Sequence, residues 1–264
     1  MAIFVSASDE HSGGDGEGLF LLAGYVGPEL DWSDFFVPAW QERVLDGPPR
    51  IPYLHMTEIR SQRFRDAFGL SRLAADDRVD EAVSIIDTMG TFYPIAVPVD
   101  LSHFRPTFKE IKVRRAEAKQ FEAKRFEPDY LCFLAYAHTV LDYVHEKHPH
   151  IEKVDFIIEQ KNYITRYINE FHSNLSATLK DIGRPDLSPL VGALRVEDKE
   201  QMHCQAADLL CWHAARFESA QELAPQDEAD AKRYLKLRNR KGLWFDLKND
   251  LVSEMAAALL ARNK

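Results

Sequence analysis

His203-Cys204-Gln205-Ala206-Ala207-Asp208-Leu209-Leu210-Cys211-Trp212 is the stretch on which the reading of this chain turns. Neither Gly nor Pro interrupts residues 202–217, and Ala and Leu recur through them, so the segment predicts a helix. Its nearly continuous apolar content predicts that the helix is deeply packed. Gln205 and Asp208 nevertheless stand three apart, which puts both polar side chains on one helix face. An aspartate inside an Ala/Leu helix is expensive to bury unless a cation or a dense set of hydrogen bonds compensates it. Two readings follow: a carboxylate paired with an arginine or capping a nearby loop, or one ligand of a metal site.

Two further acidic positions bear on that choice. Ile3-Phe4-Val5-Ser6-Ala7-Ser8 reads as a short strand running into Asp9-Glu10. Lys153-Val154-Asp155-Phe156-Ile157-Ile158-Glu159 has the pattern of a buried strand that ends on Glu159. Carboxylates at the ends of two strands and on a late helix suit a divalent metal.

Four stretches give the chain a family resemblance. They are Asp9-Glu10 with Ser12-Gly13 behind the first strand, Phe20-Leu21-Leu22-Ala23-Gly24-Tyr25-Val26 as a second strand, His55-Met56-Thr57-Glu58, and Gln205-Ala206-Ala207-Asp208. Together they resemble the domain-of-unknown-function 3800 family over about residues 3 to 217. The resemblance implies a ribonuclease-H-like fold and places His55 at the site. One departure stands out: the family's first motif reads Asp-Glu-Ser-Gly, whereas here His11 comes between Glu10 and Ser12.

Composition sets outer limits. The 264 residues are 45% apolar and 28% charged, with a formal net charge of −9. That is enough apolar material for a large core, and the overall charge announces no nucleic-acid binder, so a local basic patch would have to do that work. No charged-then-apolar leader and no run long enough to span a bilayer is visible, so a cytoplasmic protein with no membrane partner is expected. The three cysteines predict core thiols. Cys204 and Cys211 would lie roughly 10.5 Å apart along one helix, beyond the reach of about 7 Å between Cα atoms for a disulfide.

The order of elements is a strand hairpin, inserted helices, a third strand, then helix–strand–helix–strand–helix. His11 to Gly18 supplies the hairpin turn, and Leu19 to Val26 the second strand. Trp32 to Leu45 predicts an amphipathic helix with Trp32, Phe35, Phe36, Ala39, Trp40 and Val44 on its buried stripe. Leu73 to Met89 predicts another helix, and Phe92 to Leu101 the third strand. A helix from Pro128 to about Lys147 follows. Glu159 closes the fourth strand, a helix runs from about Tyr163 to Leu179, and Pro189 to Val196 is the last strand candidate. The expected fold is therefore α/β: a ribonuclease-H-like mixed five-stranded sheet flanked by helices, with a helical insertion at about 30–90 and a C-terminal helical extension over 218–264. A helix at about 247–260 is expected within that extension.

Carboxylate oxygens are the ligands Mg²⁺ and Mn²⁺ prefer, and two such ions can activate water against a phosphodiester. The expected activity is a metal-dependent nuclease acting on RNA or DNA. Asp9, Glu159 and Asp208 would bind metal and Glu10 would be a further catalytic candidate. Gln205 and His55 would support them from behind. Lys109, Lys112, Arg114 and Arg115, interleaved with Phe104, Phe108 and Phe121, would track phosphates, unless they form an ordinary solvated helix face. The rival expectations are a non-catalytic module that binds nucleic acid or protein, and a metal-dependent hydrolase of small phosphorylated molecules.

Overall fold

A computed structural model describes residues 2–12, 18–107, 128–160, 164–219, 228–238 and 242–244. Strand β1 (Ile3–Ser12) and strand β2 (Leu19–Pro28) form an antiparallel hairpin in unbroken register from Phe4–Pro28 to Ser12–Phe20. β1 thus continues through Asp9, Glu10 and His11 because every residue there finds a partner in β2. Strand β3 (Tyr93–Asp100) adds to β2 antiparallel. On the other side of β1, strand β4 (Lys153–Glu159) runs parallel to it, and strand β5 (Val191–Glu197) runs parallel to β4. A sixth, two-residue strand, β6 (Leu243–Trp244), pairs parallel with β3, giving the order β5-β4-β1-β2-β3-β6. The mixed sheet therefore has one more strand than the sequence predicts. Two residues carry too little periodicity to betray a strand in a segment expected to be helical.

Strand alternation sends successive side chains to opposite faces, and each face has its own core. Phe4, Leu22, Val97 and Phe156 pack beneath helix α5 (Pro128–Lys147) and helix α6 (Ile164–Asp181). Val5, Ala7, Leu21 and Ile157 face the other layer. That layer holds a helical run α1 (residues 31–45), the short α2 (Met56–Ile59) and α3 (Gln62–Phe68), then α4 (Arg72–Thr88), α7 (Met202–Ser219) and α8 (Glu228–Leu237). Ser71 starts α4 by accepting the Ala74 N–H on its hydroxyl, an N-cap contributing about 1 kcal/mol. α8 packs on α7 and α4, so residues 228–237 share this core. Among the described residues, no helix is long and apolar enough to cross a membrane.

The buried stripe of α1 differs from expectation. Trp32, Phe36, Trp40 and Val44 are buried, whereas Phe35 is 62% exposed. The buried positions recur every four residues, and the run is mostly wound in wide i→i+5 turns over Asp31–Phe36 and Gln41–Leu45. More residues per turn keep a four-residue repeat on one face and rotate position 35 outward. The hairpin's close approach falls at Gly24, opposite Ser8. A Cβ there would overlap the Ala7 carbonyl oxygen and lie 2.7 Å from the Ser8 Cα.

Beyond α6, Arg184 ties the last crossover to α5. It donates to Asp142 at 2.5 Å, to Asp186 at 3.0 Å, and to Nε2 of His138 at 3.2 Å. Asp186 lies on the 3-10 turn Pro185–Leu190, which takes Pro189 out of the expected strand and delays β5 to Val191. With the guanidinium as donor, Nε2 of His138 must accept, so the ring is held neutral. Burial first, and then the Arg184 charge, press the His138 pKa below its usual value, against the pull of Asp142 and Asp186. An imidazole depressed in the folded state contributes stability that is full above about pH 6.5 and is lost as pH falls through its folded pKa. Urea melts from pH 7.5 to 5 should therefore show stability falling with acidification. His138→Gln, whose amide can accept the same bond without titrating, should flatten that slope. An unchanged slope would rule His138 out as its source.

The basic stretch containing Lys109, Lys112, Arg114 and Arg115, the hairpin residues 13–17 and the expected helix at 247–260 lie outside the described residues.

Candidate active site

Register brings three carboxylates into line at one edge of the sheet. Ser8 pairs with Ile158 across β1 and β4, so the next residues along, Asp9 and Glu159, are level on neighbouring strands. Glu159 in turn pairs with Glu197 across β4 and β5. Adjacent strands lie about 4.8 Å apart, and residues level on neighbouring strands share a face. That face is the one carrying Ala7 and Ile157, beneath α7. Asp9 is 3% exposed and Glu159 8%. The Cys204 thiol in the first turn of α7 registers the convergence. Its pKa is driven up by burial first, then by the charges of Glu197, Glu159, Asp9 and Asp198. The positive end of the α7 dipole lies beside this group, where it favours negative charge.

Glu10, one residue on, points to the opposite face. Its charge is felt by Cys132 of α5, after burial and Asp129. Strand alternation thus separates Glu10 from Asp9, Glu159 and Glu197.

Asp208 sits one helical turn beyond Cys204 on α7. Its Oδ2 accepts the backbone N–H of Met56 at 2.7 Å, and its Oδ1 lies 3.6 Å from Nε2 of His55. The carboxylate therefore caps the first turn of α2, and His55 shares it. His55 also meets the Thr57 hydroxyl through Nδ1, at 2.9 Å. Among the described residues, no three of His, Cys, Asp and Glu stand close enough together to hold a metal ion.

Gln205, one turn back from Asp208, pins the insertion to the core. Its Oε1 accepts from the Trp40 indole at 2.8 Å and from the Leu54 N–H at 2.9 Å, while its Nε2 donates to the Glu200 carbonyl at 2.8 Å. A single amide thus joins α1, the segment leading to α2, and the loop before α7. Gln205→Ala would leave buried donors at Trp40 and Leu54 without acceptors, and each orphaned group costs about 1–3 kcal/mol. We expect a loss of about 3 kcal/mol in denaturant melts. A loss below 1 kcal/mol would mean that the amide carries little of the insertion's docking.

Glu197 is the site residue that sequence reasoning passed over. Burial, chiefly, raises its pKa, and Arg195 pulls the other way. Its Oε2 is buried, has no hydrogen-bond partner among the described residues, and lies 3.9 Å from Nδ1 of His203. His203 itself lies against Trp32, with ring centroids 5.0 Å apart and the planes tilted by 42°. The signal was available: Arg195-Val196-Glu197 ends a strand on a carboxylate just as β4 does.

Nearby, Glu58 is engaged elsewhere, accepting from the Tyr53 hydroxyl and the Lys199 ammonium. The Lys199 nitrogen also lies 4.4 Å from the centre of the Tyr53 ring. Comparison with family models, with curated proteins and with solved structures finds no match to this chain.

Proposed function

We propose that the protein is a divalent-metal-dependent phosphodiesterase acting on RNA or DNA, built on a ribonuclease-H-like scaffold as the resemblance to the domain-of-unknown-function 3800 family implies. One observation carries the reading: Asp9, Glu159 and Glu197 stand level on three neighbouring parallel strands and share one face, under the helix that bears Asp208. The strand order, with a three-stranded antiparallel half extended by parallel strands, supports the scaffold. Function still has to be argued from the site, since one fold hosts many chemistries.

The donor set fits Mg²⁺ or Mn²⁺. It consists of hard carboxylate oxygens on neighbouring strands, the ligand type these ions prefer, and the side chains would have to draw together around the ion. Asp9, Glu159 and Glu197 would hold the ion, and Asp208 would join them by exchanging its bond to the Met56 N–H. A bound divalent ion supplies charge neutralisation at phosphate oxygens and lowers the pKa of its water. The protein's own share is to hold the carboxylates in register, to bury Asp9 and Glu159, and to keep His55 within reach of Asp208 as a proton carrier.

The test is incubation of the purified protein with labelled single- and double-stranded RNA and DNA, with Mn²⁺, Mg²⁺ or chelator. Cleavage that needs the ion is expected. Binding without cutting under every condition would overturn the enzyme reading in favour of a binding module. Hydrolysis confined to small phosphodiesters would replace the substrate class.

A further inference from the structure

We propose that the arginine-lined cavity one helical turn from Asp208 is a phosphate-binding site. α2 runs alongside α7, so that Met56 meets Asp208 and, four residues on in each, Arg60 meets Trp212. At that second meeting point opens a cavity of about 440 Å³, bounded by the start of α4, the second half of α7 and the start of α8. Four arginines line it, Arg60, Arg72, Arg216 and Arg233, against two aspartates, Asp76 and Asp230. In a chain of net charge −9 this is a local reversal of sign.

The two aspartates are already committed. Arg60 bonds both Asp76 and Asp230, and Arg233 bonds Asp230 at 2.8 Å and Asp80 at 2.7 Å. Arg72 is exposed and has no ion pair among the described residues. Arg216 lies over the Trp212 ring, 4.7 Å from its centre, with Arg60 at 5.6 Å from the same ring. Two guanidiniums rest on one aromatic plane, so much of their rotamer freedom is gone before any ligand arrives. A second, smaller cavity of about 190 Å³ shares Arg60 and Arg72 and adds Arg65.

Guanidinium forks match phosphate oxygens in pairs, whereas a lone carboxylate would use one fork and leave the rest idle. The first turn of α4, which carries Arg72, adds the positive end of a 17-residue helix to the same space. The chemistry therefore points to a phosphate group, borne either by a nucleic acid or by a free phosphate monoester. The inference goes beyond the proposed activity and does not rest on it.

Titration with inorganic phosphate in the presence of chelator, followed by calorimetry, tests the site in parent and in Asp9→Asn protein alike. Saturable binding is expected in both. Arg72→Gln should weaken it about tenfold and Arg72→Glu about a hundredfold, the scale of charge-assisted hydrogen bonds. Arg72 is exposed and bears no ion pair among the described residues, so both variants should melt like the parent without phosphate. Competition by a 5′-phosphorylated oligonucleotide but not its 5′-hydroxyl twin would place the phosphate on nucleic acid. Competition by neither would place it on a small monoester. Absence of saturable phosphate binding, or binding undiminished in both Arg72 variants, overturns the proposal.

Discussion

Asp9→Asn should lose cleavage by a factor of about a thousand or more while keeping the fold, as befits loss of a charged group that stabilises the transition state. Asn is nearly isosteric with Asp and keeps a carbonyl acceptor, so the packing around position 9, which is 3% exposed, is preserved. What it loses is the negative charge that makes the oxygen a ligand for a hard cation. The same variant answers a second measurement that needs no substrate. An ion that binds only the folded state stabilises it by about 2.7 kcal/mol at a hundred times its dissociation constant. Mn²⁺ should raise the melting temperature of the parent protein, and Asp9→Asn should lose most of that rise. Glu58→Gln should keep it, since Glu58 is occupied by Tyr53 and Lys199. A melting temperature indifferent to every divalent ion, or an Asp9→Asn protein that responds like the parent, would remove the metal site from consideration.

Gly24→Ala should be the most damaging single substitution in the sheet. The added methyl would overlap the Ala7 carbonyl oxygen, a backbone atom that cannot rotate away. Relief would require β1 and β2 to separate at the step just before Asp9, where the hairpin ladder is continuous. Overpacking against side chains costs typically 1–3 kcal/mol; against backbone in a central strand pair we expect more than about 4 kcal/mol, near the whole stability of many domains. Soluble yield and denaturant melts would show it. Near-parental stability would mean that the strands are farther apart than described.

Much of this arrangement is legible in the residues. β1, β2, β3 and β4 announce themselves by apolar runs bounded by Gly, Pro and charges, and the Ala/Leu helix over 202–219 by its uninterrupted composition. Asp9 and Glu159 are recognisable because each follows an apolar strand run, where a buried carboxylate has no ordinary packing role. Glu197 hid for a local reason. β5 is an edge strand whose residues are mostly half-exposed, so its apolar pattern is faint and its terminal carboxylate looks like surface. The separation of Glu10 from Asp9 needed only the alternation of a strand that continues past Ser8. The sequence places Gln205 beside Asp208, and its bonds to Trp40, Leu54 and Glu200 make it an inter-element clamp as well. Nothing in its own helix reveals that, because its partners lie 165, 151 and 5 residues away.

The two-residue strand at 243–244 bears on how the chain is made. During synthesis the β1–β2–β3 half is complete by residue 100, but the free edge of β3 at Ile95 and Ala96 is not covered until Leu243 and Trp244 have left the ribosome. At about 5–20 residues per second, the nascent protein spends on the order of ten seconds with that edge unpaired and able to template another chain. Truncation after residue 219 would make that interval permanent. Such a shortened protein should be prone to edge-to-edge association even though every residue of the acidic site is present.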